Sequence, residues 1–178
     1  MRIYDGSPRQ DFEEVLRSIG AYLDQRGMKE VLVLEVPDGF IVQGLASVGG
    51  SSSAWSESLG QVEKETMTFA DEDVAKFMDE AIARRGKVPG VDPPPPPAGS
   101  YELAFRVIGR YIDEQRPKDI FFFEQQGAFV LRLHHATQSG DRHSLAEFTR
   151  DDIAALVSQG PGLRTPVTET GSPGAART

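Results

Sequence analysis

Apolar positions along this chain fall first at helical spacing and then in unbroken runs, and the same order returns after a proline-rich stretch. Phe12, Val15, Leu16, Ile19, Tyr22 and Leu23 make one stripe of a helix. Ser7, Pro8 and Gln10 supply an N-cap, a first-turn proline and a capping-box partner, and Gly27 is a natural stop. A counterpart is predicted from about Ser100 to Gln115, ended by Pro117. VLVLEV (31–36) and IFFFEQ (120–125) follow these helices. Neither run alternates, so each reads as a strand hidden on both faces, by a helix on one side and by the sister copy or a second chain on the other. Pro37-Asp38-Gly39 and Gln125-Gln126-Gly127 mark turns into second strands beginning at Phe40 and Phe129. Weaker third strands end at Phe69 and Phe148. Closing helices then place Val74, Phe77, Met78 and Ala81, and Ile153, Leu156 and Val157, on one face, with Thr149 and Asp152 as a capping pair.

The recurrence is more than a shared pattern. Shifted by 89 positions, FEEVLRSIGAYLDQ lies over YELAFRVIGRYIDE, and nine of thirty-three positions from Phe12 to Gly44 are identical. About two would agree by chance. Past a loop insertion in the first copy the offset becomes 79, with TFADEDVAKFM over EFTRDDIAALV. These matches predict an internal duplication of an α-β-β-β-α unit. The boundaries are 1–86 for the first copy, 87–99 for the linker, 100–160 for the second copy and 161–178 for a disordered tail. A unit of about seventy residues buries little alone, so a two-layer α+β fold with an antiparallel sheet, a shared core and pseudo-twofold symmetry is expected.

By topology alone, the αβββα order resembles the opening of type III secretion chaperone-like folds, which implies a peptide-binding role. It is also similar to the start of the restriction-endonuclease core, but Asp/Glu-x-Lys occurs nowhere in the chain. The GxGxxG, Walker and GxSxG signatures are absent too. There is no cysteine, which removes disulfides, thiolate catalysis and Cys-based zinc. The net charge of -8, with scattered basic residues, argues against a nucleic-acid partner. The absence of any long apolar window argues against membrane insertion and for a cytoplasmic protein. Arginine outnumbers lysine fourteen to five, a bacterial-type bias with no functional weight.

Several residues remain as candidates. Glu13, Arg17, Gly20 and Asp24 line one side of the first helix, and Glu102, Arg106, Gly109 and Asp113 repeat the stripe. This is either a solvated face with incidental glycines or tight packing of the first helices against a neighbour, each other included. Glu35 and Glu124 end the first strands, as a structural cap, as partners of Lys29 and Lys118, or as a paired acid and base. His134, His135 and His143, near Asp141 and Glu147, suit ordinary hairpin roles better than a metal, because successive strand residues face opposite ways. Trp55, in a Gly/Ser-rich insertion, is either a binding anchor or a residue folded back on the core. Five consecutive prolines (93–97) read as a stiff spacer, with an SH3-type ligand as the alternative. The residues favour a binding or scaffolding protein without cofactor or metal, taking a protein or peptide partner or forming a homodimer. A chaperone-like peptide binder and a hydrolase-like enzyme using Glu35 and Glu124 are the alternatives.

Overall fold

The computed structural model describes residues 11–47, 62–84, 96–138 and 140–159. Trp55, Ser7, Pro8, Gln10, most of the linker and the 161–178 tail lie outside the described residues. Helix α1 runs Phe12–Arg26, and its N-cap is Asp11, whose carboxylate accepts from Glu14 N. The cap therefore falls later than the Ser7-Pro8 expectation, because Asp11 places a short acceptor directly before the apolar stripe. Gly27, at φ 62, ends the helix in the left-handed region. Helix α3 runs Tyr101–Gln115, capped by Ser100 and closed by Arg116 at φ 50, just before Pro117.

Strands β1 (Lys29–Val36), β2 (Gly39–Ser47) and β3 (Val62–Ala70) precede helix α2 (Asp71–Arg84). Strands β4 (Asp119–Gln125), β5 (Ala128–Thr137) and β6 (Gly140–Phe148) precede helix α4 (Arg150–Gln159). All six strands join one antiparallel sheet in the order β3-β2-β1-β4-β5-β6. The β4–β5 turn takes positive φ at Gln126 (51°) and Gly127 (80°), which suits the right-handed twist of a tight hairpin. Thr149 and Asp152 exchange hydrogen bonds at the start of α4, as their spacing predicts.

Parity along the strands separates two surfaces. Val31, Val33, Phe40, Val42, Phe122, Leu131 and Phe148 point to one side. They share a single core with Leu16 and Ile19 of α1, Phe105 and Ile108 of α3, Val74 and Met78 of α2, and Ile153 of α4. The fold is thus α+β in two layers, helices on one face of the sheet. The expectation that the sister half covers the other face is overturned. The halves meet edge to edge instead, through Leu32 opposite Phe123, Val33 opposite Phe122 and Leu34 opposite Phe121. Pairing β1 with β4 satisfies two rows of backbone groups that a stacked arrangement would leave open. Val157, expected to be internal, is 40% exposed because α4 touches the core mainly through Ile153.

Candidate functional site

The polar stripes come together in the seam between α1 and α3. Asp24 accepts from Tyr101 N and Glu102 N, both at 2.9 Å, and Asp113 accepts from Phe12 N and Glu13 N, also at 2.9 Å. Each carboxylate thereby caps the positive end of the other helix. Burial pushes both carboxyls above their ordinary value, and the two backbone N–H donors offset part of the rise. Arg17 Nε donates to Glu102 at 3.0 Å, and Arg106 Nε donates to Glu13 at 2.9 Å. Burial raises the Glu13 carboxyl, but hydrogen bonds from Arg110 and Arg106 bring it below its ordinary value. The glycines explain the closeness. A Cβ on Gly20 would stand 2.5 Å from Tyr101 O, and one on Gly109 2.3 Å from Phe12 O. The stripe is an inter-helix joint, and Arg17, Asp24, Arg106 and Asp113 are committed to it.

Glu35 and Glu124 do not meet. Continuing the β1–β4 register sets Glu35 opposite Ile120 and Glu124 opposite Val31. They therefore stand about 13 Å apart along the strands. Glu35 accepts from Ile120 N at 3.1 Å. Glu124, its side chain only 7% exposed, accepts from Tyr101 OH, from Glu30 N at 3.1 Å and from Arg150 Nη2 at 3.1 Å. Glu30 turns its N–H there by taking φ 52 at an irregularity in β1. Both carboxylates cap backbone N–H groups across the junction. Burial first, then the bond to Glu124, holds the Tyr101 hydroxyl protonated far above its ordinary range. Beside this cluster lies a mainly apolar cavity of about 370 Å³ between α3 and α4, lined by Leu103, Ala104, Phe129, Arg150, Ile153 and Val157 among others.

In the β5–β6 hairpin, His134 and His143 stack with ring centroids 4.7 Å apart, while His135 faces the opposite side of the sheet. His134 Nδ1 lies 2.6 Å from Asp119 Oδ2, and its Nε2 lies 3.3 Å from Asp141 Oδ1. The latter approach is poorly aimed for a hydrogen bond. The Asp119 contact raises the imidazole above its ordinary value. Among the described residues no three His, Asp or Glu side chains converge as metal ligands.

Among the described residues, nothing covers the sheet face opposite the helices. Leu32, Leu34 and Val36 of β1, Ile41 and Leu45 of β2, Phe121 and Phe123 of β4, and Val130 of β5 are partly exposed there, and Leu145 of β6 is 43% exposed. Register places Leu34 between Ile41 and Phe121, so these side chains form a continuous band rather than scattered contacts. Lys64, Thr66 and Thr68 border it on β3, and Asp141, His143 and Glu147 on β6. Arg132 crosses it with its guanidinium 5.6 Å from the centre of the Phe121 ring. None of the apolar residues of the band was singled out as a site from sequence, although the non-alternating runs 31–36 and 120–125 were the signal that could have named them. Among the described residues no helix is long and apolar enough to cross a membrane. No family model, curated protein or solved structure matches this chain.

Proposed function

We propose that this chain is a cytoplasmic, non-enzymatic protein-binding or scaffolding protein that docks a protein surface on the open face of its sheet. The observation that carries this reading is the continuous apolar band through Leu34, Ile41, Phe121 and Phe123, on the one sheet face that no described helix covers. Patches of this kind, rimmed by polar residues, mark interaction sites in water-exposed proteins. The candidate carboxylates support the same reading from the other direction. Glu35, Glu124, Asp24 and Asp113 are each engaged with backbone N–H donors, which leaves them poorly placed to move a substrate proton.

We further propose that the fold arose by duplication of the α-β-β-β-α unit, with pseudo-twofold symmetry and copies at 1–86 and 100–160 joined by the 87–99 linker. In support, the Asp24, Arg17 and Gly20 contacts with α3 recur as Asp113, Arg106 and Gly109 contacts with α1. A chaperone-like peptide binder would use the same open face, because a flat apolar sheet also accepts an extended segment.

The test is photocrosslinking in cells, with benzoylphenylalanine at Leu34 or Phe123 on the face and at the exposed Glu114 of α3 as a control. Discrete protein adducts from the two face positions and none from Glu114 are expected. Face positions that yield no adduct, or yield no more than Glu114, would overturn the reading.

A further inference from the structure

Resting on that reading, we infer that the occupant of the open face is a second copy of this chain, packed sheet against sheet about a twofold axis that runs parallel to the strands. Area is the first argument. Six strands spaced by about 4.8 Å and roughly eight residues long present about 700 Å² per copy, so a face-to-face pair buries about 1,400 Å², within the range of stable specific interfaces. Pairing at the sheet edges is disfavoured by contrast. Both edge strands carry charge on both faces, with Glu63, Lys64 and Glu65 on β3 and Asp141, Arg142 and Glu147 on β6.

Charge selects the axis. A twofold axis parallel to the strands lays β3 of one copy over β6 of the other and β1 over β4. Lys64 lies level with Leu45 and hence with Lys29, while Glu147 lies level with Val130, Phe123 and so Leu32. Along the strand direction the two are about 10 Å apart at most, within reach of two long side chains. Both Lys64–Glu147 pairs then form at the rim, one on each side. Leu34 and Leu32 pack over the partner copy's Phe121 and Phe123, and Arg132 comes over the partner copy's β2, where Gln43 offers a carbonyl acceptor. A twofold axis across the strands would instead set β6 over β6 and β3 over β3, so that neither Lys64–Glu147 pair could form. It would also bring Arg132, level with Leu34 near mid-sheet, against its own copy. The face is therefore self-complementary in one orientation and self-repelling in the other.

Sedimentation equilibrium on the purified full chain tests this, from about 1 to 100 µM. The wild type is expected at twice the 19.5 kDa chain mass. Phe121→Lys, an outward substitution whose folding is checked by circular dichroism, is expected to weaken the dimer at least about 30-fold, as loss of a central aromatic anchor does. Lys64→Glu and Glu147→Lys, each left folded because both positions are exposed, are expected to weaken it singly, and the double reversal to recover most of the loss. A monomeric wild type, a dimer indifferent to Phe121→Lys, or a double reversal no better than the singles overturns the inference. The crosslinking above separates this from the broader reading. Face adducts of twice the chain mass support a second copy, whereas face adducts of any other mass keep protein docking and dismiss the homodimer.

Discussion

Replacing Gly109 with alanine is expected to loosen the α1–α3 joint, although the same change in an ordinary helix interior stabilises by about 1 kcal/mol. The new Cβ would stand 2.3 Å from Phe12 O and 2.7 Å from Glu13 Cα, both backbone atoms that no rotamer change can move. Ordinary contact requires about 1 Å more, so the helices must part by roughly that amount. Overpacking of this kind costs about 1–3 kcal/mol. Separation also stretches the two 2.9 Å hydrogen bonds to Asp113 and the Arg106–Glu13 pair. Charge-assisted bonds contribute about 1.5–3 kcal/mol each when intact, and only part of that is lost on stretching. Set against the helix-propensity gain, the net loss is about 2–4 kcal/mol, or a fall in Tm of about 5–15 °C. Thermal and urea melts followed by circular dichroism measure it, with Gln25→Ala on the exposed side of α1 as a control held within about 0.5 kcal/mol. Gly20→Ala should behave alike, and the double variant should lose less than the sum, because both substitutions open one seam. A Tm that stays level or rises would refute the reasoning, since it would mean the helices accept a methyl group between them.

Other perturbations probe the remaining contacts. Glu124→Gln removes the charge that Tyr101 OH, Glu30 N and Arg150 donate to, and denaturant melts should show a loss of about 1–3 kcal/mol; an unchanged midpoint would contradict that role. Arg17 is 5% exposed, so Glu102→Ala leaves a buried guanidinium with only its longer 3.6 Å pair to Glu14 and should destabilise by about 2 kcal/mol, while adding Arg17→Met should recover part of it; a double variant worse than the single would refute the pairing. His134 sits above its ordinary 6.5 through Asp119, so its contribution is full below about pH 6.5 and disappears as pH rises through the folded-state value. His134→Gln should therefore lower Tm more at pH 5.5 than at pH 9, and equal deficits at the two values would exclude the coupling.

Much of this was legible in the residues because it follows from local spacing. The stripe Phe12–Leu23, the left-handed stop at Gly27, the Gln126-Gly127 turn and the Thr149–Asp152 cap each depend on a few neighbouring positions, and each is where the sequence places it. The start of α1 was misplaced, since Ser7-Pro8 and Asp11 both carry capping chemistry and only the latter adjoins the stripe. The mid-helix glycines left two readings open, a solvated face and close packing on a neighbour that included the other first helix, and spacing along one helix does not decide between them. Glu35 and Glu124 illustrate the limit: two like carboxylates at like positions say nothing about distance, which the antiparallel β1–β4 register sets by placing them at opposite ends.

By itself, then, the sequence determined the order of elements, their turns, the caps other than that of α1, and which residues are apolar enough to seek cover. Only the tertiary structure decided how the halves join. A strand that is apolar on both faces does not encode what lies above it, and the backbone groups along its edge demand pairing as strongly as its side chains demand burial. In this chain the edges of β1 and β4 satisfy each other, the helices interlock through Gly20 and Gly109 on one side, and the apolar band around Leu34 and Phe121 stays on the open side.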